Sequence, residues 1–242
     1  MLNKLPSITF AFWVIKILTT GMGEAASDFL VRWLGSAPAV VIGGLVFVVS
    51  LTIQLRRKSF SKWVYWTAVA MVSVFGTMAA DIVHIGLGVP YEFSTAVFAV
   101  GLIAIFAIWW RTEGSISLAS VTTARREVFY WLTVLATFAL GTAAGDMTAR
   151  NLNWGYLGSG VVFAASFAVP AICYRASSGS SVLLFWLAYI ITRPLGASFA
   201  DWIGADSNKG GLGFGFGSIA AVLTVAIVLV VGLQPSEAKA SR

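Results

Sequence analysis

Charge is scarce in this 242-residue chain: 11% of its residues are Asp, Glu, Lys or Arg, where soluble domains carry about 25%. There is no polar stretch long enough for a separate soluble domain, which excludes a globular enzyme hung on a membrane anchor. Cysteine occurs once, at Cys173, which excludes an intrachain disulfide and a cysteine metal cluster. Histidine also occurs once, at His84, so the two-histidine motif of the zinc proteases is impossible. The Gly-x-Gly-Asp and Tyr-Asp pair of intramembrane aspartyl proteases is missing, and so is the Gly-x-Ser-Gly of a rhomboid-like dyad. An enzyme is not expected.

Apolar residues are what the chain has in quantity, 58% with a mean hydropathy of +0.87. A spanning helix needs about 20 consecutive apolar residues. Eight runs qualify, near 7–33, 37–55, 62–87, 92–110, 127–150, 155–174, 181–204 and 211–233. The expected fold is all-α: a polytopic membrane protein of eight transmembrane helices. The net charge of +6 does not point to nucleic acid, because the bases sit in short loops between the runs. Lys4, Arg56, Arg57, Lys58, Lys62, Arg111, Arg125, Arg126, Arg175, Lys239 and Arg242 fall on one side, against Arg32, Arg150 and Lys209 on the other. The positive-inside rule then places both termini in the cytoplasm. Trp63, Trp66, Trp109, Trp110, Tyr130 and Trp131 fall near the inner helix ends, where an aromatic belt is expected. Lys16 interrupts the first run, which reads as a transmembrane helix and not as a cleaved signal peptide.

One six-residue pattern organises the chain. GEAASD (Gly23–Asp28), GTMAAD (Gly76–Asp81), GTAAGD (Gly141–Asp146) and GASFAD (Gly196–Asp201) each open with Gly and close with Asp, inside an odd-numbered run. Asp28 and Asp146 are 118 residues apart, and Asp81 and Asp201 are 120. Copies one and three continue as Asp-x-x-x-Arg, whereas two and four share Gly-Leu-Gly. This predicts two parallel four-helix repeats in the order A-B-A′-B′, residues 1–119 and 120–242, around a central acidic site.

Each intramembrane carboxylate costs roughly 2.5–3.5 kcal/mol at a helix centre, so four in one setting suggest a polyanionic cation site. Steps of four along one helical face collect Asp28, Glu24, Thr20 and Lys16; then Asp81, Thr77 and Ser73; then Asp146, Thr142 and Phe138; then Asp201, Ala197, Arg193 and Tyr189. Such stripes are expected to face one another around a shared interior. The motif glycines lie at another angle and suit close helix approach. Candidate cation ligands are Glu24, Asp28, Asp81, His84, Asp146 and Asp201. Pathway or counter-ion residues are Lys16, Thr20, Ser73, Thr77, Thr142 and Arg193. Asp28 and Asp146 have a competing use, as i,i+4 partners of Arg32 and Arg150. Oxygen ligands suit Mg²⁺, Ca²⁺ and Mn²⁺, and one imidazole tilts the choice toward Mn²⁺ or Fe²⁺. Five interior acids against Lys16 and Arg193 leave a charge that a divalent ion plus a proton would offset.

The stretches KILTTGMGEAASDFLV (Lys16–Val31), GTAAGDMTA (Gly141–Ala149) and TRPLGASFADW (Thr192–Trp202) resemble a family of bacterial multi-pass proteins described as uncharacterised membrane proteins. The resemblance covers most of the chain. It implies a bacterial inner-membrane location and an association with manganese handling.

The residues themselves point first to a transporter for divalent cations, with Mn²⁺ favoured, proton-coupled export the expected direction, and no resident cofactor. The second reading is a channel for protons or monovalent cations through a ring of Asp. The third is a membrane receptor or assembly protein with structural Asp–Arg pairs.

Overall fold

Helix boundaries follow local chemistry. The computed structural model describes residues 4–176 and 181–234. Among them are eight α-helices: α1 (Phe10–Leu34), α2 (Ser36–Arg56), α3 (Lys62–Asp81), α4 (Tyr91–Glu113), α5 (Ala124–Asp146), α6 (Gly155–Ala176), α7 (Ser181–Gly204) and α8 (Phe216–Leu233). Thr9 and Thr123 cap α1 and α5, their hydroxyls accepting from Phe12 N and Arg126 N at 3.3 Å each. Gly35 ends α1 at φ +85, where its N–H bonds the Val31 carbonyl at 2.9 Å, and α2 starts at once.

The fold class is the one expected, an all-α polytopic protein. Three boundaries differ. The eighth helix starts at Phe216 and not near 211. Gly210, Gly213 and Gly215 hold positive φ, and residues 212–215 fold back so that their N–H groups bond the carbonyls of Trp202, Ala205, Ile203 and Gly204 at 2.7–3.1 Å. The loop thus satisfies the open end of α7. The third and fifth runs stop being α-helical at the motif aspartates, and each adds one π-helical segment, Ile82–Gly86 and Met147–Asn151. Seven of the eight helices are long and apolar enough to cross a membrane by length and composition. The other, α1, has the length but carries Lys16, Glu24, Asp28 and Arg32.

The odd helices form the centre. α1 packs on α3, α3 on α5, α5 on α7, and α7 back on α1. The even helices lie outside this square. Each packs on the odd helix that follows it: α2 on α3, α4 on α5, α6 on α7, and α8 closes the circle onto α1. Burial reflects the two roles, at 17% of the span for each even helix and 56–61% for α3, α5 and α7.

Two layers of contacts repeat around the square. Ten and eleven residues before each motif glycine stands an aromatic pair: Phe12-Trp13, Tyr65-Trp66, Tyr130-Trp131 and Phe185-Trp186. The first ring of each pair meets the Trp of the next repeat, Phe12 with Trp66 (5.5 Å between centroids), Tyr65 with Trp131 (5.7 Å), Tyr130 with Trp186 (6.2 Å) and Phe185 with Trp13 (5.6 Å). The motif glycines repeat in the same sense. A Cβ on Gly23 would fall 1.8 Å from Ser73 Oγ, on Gly76 2.7 Å from Phe138 Cβ, on Gly141 2.3 Å from Arg193 Cγ, and on Gly196 1.9 Å from Thr20 Oγ1. Close approach over small residues is how helices associate where lipid gives no hydrophobic drive.

The aromatic layer corrects the expectation of a belt. Trp66, Trp109, Tyr130 and Trp131 are buried, and of the six residues only Trp63 and Trp110 lie exposed. Position near a helix end cannot separate a ring that faces the bundle axis from one that faces lipid.

Candidate functional site

Every polar stripe turns inward. Lys16, Thr20, Glu24, Ser73, Thr77, Thr142 and Arg193 are all buried. Arg193 of α7 is the hub. One Nη donates to Glu24 Oε2 at 2.6 Å, to Thr142 Oγ1 at 2.7 Å and to Thr77 Oγ1, and the other reaches the Thr20 carbonyl at 3.3 Å. A single guanidinium therefore ties all four odd helices together. Thr77 also donates to the Ser73 carbonyl at 3.0 Å.

The hub is built from equivalent positions that carry different residues. Glu24, Thr77 and Thr142 each follow a motif glycine, where the fourth copy has Ala197. Arg193 stands three residues before its glycine, where the other copies have Thr20, Ser73 and Phe138. One turn further, Lys16 matches Val69, Val134 and Tyr189. Its ammonium lies 4.4 Å from the Phe138 ring centre and 4.2 Å from that of Tyr189.

The four aspartates sit one turn from the hub, toward the end of the bundle that we call the acidic end. Asp146 is buried and pairs with Arg150 at 3.2 Å, the i,i+4 contact anticipated for it. Arg150 also donates to the Tyr91 hydroxyl at 3.0 Å. Arg32 does not pair with Asp28. It reaches Asp206 at 4.0 Å and lies over the Phe216 ring at 4.5 Å. Asp28, Asp81 and Asp201 are half-buried and make no ion pair among the described residues. They remain within one another's electrostatic field and within that of nearby guanidiniums: Asp28 with Glu24, Asp146, Arg32 and Arg150, Asp81 with Glu24, Asp146, Asp28 and Arg193, and Asp201 with Glu24, Asp28, Asp146 and Arg150.

The six candidate ligands do not converge on one point. Among the described residues no three His, Cys, Asp or Glu side chains are grouped closely enough to hold a metal ion. The aspartates stand at the corners of a square, Glu24 is committed to Arg193, and His84 lies apart. The π-helical segment after Asp81 turns His84 toward α4. There its Nδ1 lies 2.9 Å from Ser94 Oγ and its ring packs 4.7 Å from Tyr91.

The other end of the bundle is closed. Beneath Lys16 the aromatic pairs fill the axis, and the Tyr65 and Tyr130 hydroxyls bond at 2.5 Å. Beyond them Lys4 bonds Glu127 at 2.5 Å and the Leu55 carbonyl at 3.0 Å, and Gln54 holds the second Glu127 oxygen at 3.2 Å. Arg125 and Arg126 share Glu113. Lys239 and Arg242, assigned to this side from loop charge, lie outside the described residues. Neither Glu127 nor the fourfold repetition of the aromatic pairs is among the sequence expectations, which take Trp66, Tyr130 and Trp131 only as belt residues. The spacing of the pairs before each glycine carries that signal, but only once the four copies are aligned.

Each of the four two-helix units, residues 11–60, 64–115, 129–180 and 184–236, matches a family described as Repeat of Unknown Function (DUF347). These matches cover most of the chain, and the protein belongs to that family. No curated protein and no solved structure matches it.

Proposed function

We propose that this protein is a membrane carrier for divalent cations and not an enzyme. The observation that carries the reading is the set Asp28, Asp81 and Asp201: half-buried carboxylates on α1, α3 and α7, at one end of the bundle, that form no salt bridge among the described residues. An acid left unpaired in an apolar scaffold is costly to retain and marks an ion pathway. The oxygen character of the set favours hard cations, Mg²⁺, Ca²⁺ and Mn²⁺. His84, whose nitrogen would have tilted the choice, contacts Ser94, so a preference for Mn²⁺ falls to the carboxylates alone. The closed aromatic and Arg193 layers support a carrier over a standing pore. A cation drawing the corner aspartates together would have to move the odd helices, which is the motion a carrier needs.

Purified protein in liposomes, loaded with a Mn²⁺-sensitive dye, tests the reading. Wild type is expected to take up Mn²⁺, with Asp81→Asn and Asp201→Asn losing at least tenfold in rate, equivalent to about 1.4 kcal/mol. Equal flux in all three would overturn it. Saturation with rising Mn²⁺ separates a carrier from a conductive pore.

A further inference from the structure

One of the four motif aspartates already holds a cation, and the chain itself supplies it. Asp146 is buried and pairs with Arg150 at 3.2 Å. Arg150 also donates to the Tyr91 hydroxyl at 3.0 Å, with its guanidinium carbon 5.8 Å from that ring centre. The charge is felt beyond its own helix. Asp28 of α1 and Asp201 of α7 lie in the field of the same guanidinium, and so does Tyr156 of α6. The other copies place no such charge over the acids. Four residues after the motif aspartate, copies two and four have Ile85 and Ala205. Copy one has Arg32, which reaches Asp206 instead. Among the described residues, only Arg150 forms a salt bridge with a motif aspartate.

This pair is placed to open. Arg150 lies on the π-helical segment Met147–Asn151, not on the α-helix that ends at Asp146. Single π-helical turns are rare and concentrate at functional sites. The Arg150 side chain is 48% exposed, and that of Asp146 is 10%. An ion pair with one partner in water is held weakly. The carboxylate it would leave is buried, however, and a buried charge needs a partner. Whatever takes Arg150 away must therefore replace it. A monovalent ion offers Asp146 no more charge than the guanidinium does, and gives up its water besides. A divalent ion offers twice the charge and can draw on Asp28, Asp81 and Asp201 as well.

We propose that Arg150 is the resident cation of the acidic end, which a divalent substrate displaces from Asp146 and a monovalent ion does not. This rests on the carrier reading and deepens it. Asp146 becomes the fourth ligand once it is released, and Arg150 sets the preference for divalent ions.

Calorimetric titration of Mn²⁺ into the full chain in detergent tests this, with thermal unfolding of each variant alongside. Asp146→Asn is expected to weaken binding roughly tenfold, although its carboxylate is ion-paired before the metal arrives. Arg150→Met is expected to tighten it by roughly the same factor, since the competitor is gone. Arg150→Lys keeps the charge and should bind Mn²⁺ close to wild type. Excess Na⁺, exchanged for choline at constant ionic strength, should compete with Mn²⁺ in Arg150→Met and not in wild type. A pair that only braces the fold would lower the Tm of both variants and leave their Mn²⁺ affinity where it was. If either the Asp146→Asn loss or the Arg150→Met gain fails while Asp81→Asn still loses binding, this inference falls and the carrier reading stands. No Mn²⁺ bound by folded wild type overturns both.

Discussion

The ends of the odd-helix bundle repeat and its middle does not. At one end four aromatic pairs interlock around the square, and at the other four aspartates stand at its corners. Between them the four copies diverge. The position that is Thr, Ser and Phe in three copies is Arg193 in the fourth, and the one that is Thr, Thr and Ala in three is Glu24 in the first. A buried arginine repeated four times would put uncompensated charges around one axis, which is prohibitive in low dielectric. One arginine, one glutamate and two threonines satisfy one another. The repeated layers therefore build the scaffold, and the unrepeated layer is where a single ionic centre is affordable.

The sharpest way to break this division is to disarm the hub. Arg193→Met leaves Glu24 buried among apolar groups and strips Thr77 and Thr142 of their donor. The expected loss is about 3–5 kcal/mol, the usual cost of removing one partner of a buried pair. Chemical unfolding in detergent measures it. Adding Glu24→Gln should recover most of the loss, since the stranded charge goes with it, and a double-mutant cycle gives the coupling. If the double variant is no better than Arg193→Met alone, the hub holds the fold by shape and not by charge.

A smaller effect sharpens the scaffold side. Gly141→Ala puts a methyl 2.3 Å from Arg193 Cγ and 2.9 Å from Pro194 Cδ, an overpacking expected to cost about 1–3 kcal/mol. Gly145→Ala, one turn along the same helix, meets nothing nearer than 3.8 Å. It is expected to be neutral, or stabilising by up to about 1 kcal/mol through helix propensity. Thermal unfolding of the two variants side by side decides whether the motif glycine is there for contact. Equal effects would mean that it is not.

These layers differ in how legible they were. Helix number, the odd–even division and the inward polar stripes were readable because hydrophobic period and charge placement dictate them. The glycine contacts followed from the angle between Gly and Asp on a helix. Three features could not be read. Arg32 turns to Asp206 because the 205–215 loop brings that carboxylate over α1, a long-range fact. His84 leaves the Asp81 face because a π-helical segment replaces 3.6-residue geometry where nothing in the residue types requires it. Lys16 makes no hydrogen bond among the described residues, and the ring faces of Phe138 and Tyr189, from two other helices, lie against its ammonium instead.

The least disruptive change asks whether the aromatic layer tolerates being made more alike. Phe12 and Phe185 stand where Tyr65 and Tyr130 carry hydroxyls that bond each other at 2.5 Å. Tyr65→Phe leaves the buried Tyr130 hydroxyl without that partner, and a loss of about 1 kcal/mol is expected. Tyr65→Phe with Tyr130→Phe removes both polar groups together and gives all four copies the same ring. Paired removal of this kind is near neutral, so the double variant should unfold close to wild type and above the single one. A double variant that loses as much as two single losses added would show the hydroxyls bonding elsewhere in the bundle, and the aromatic end would then be as individual as the middle.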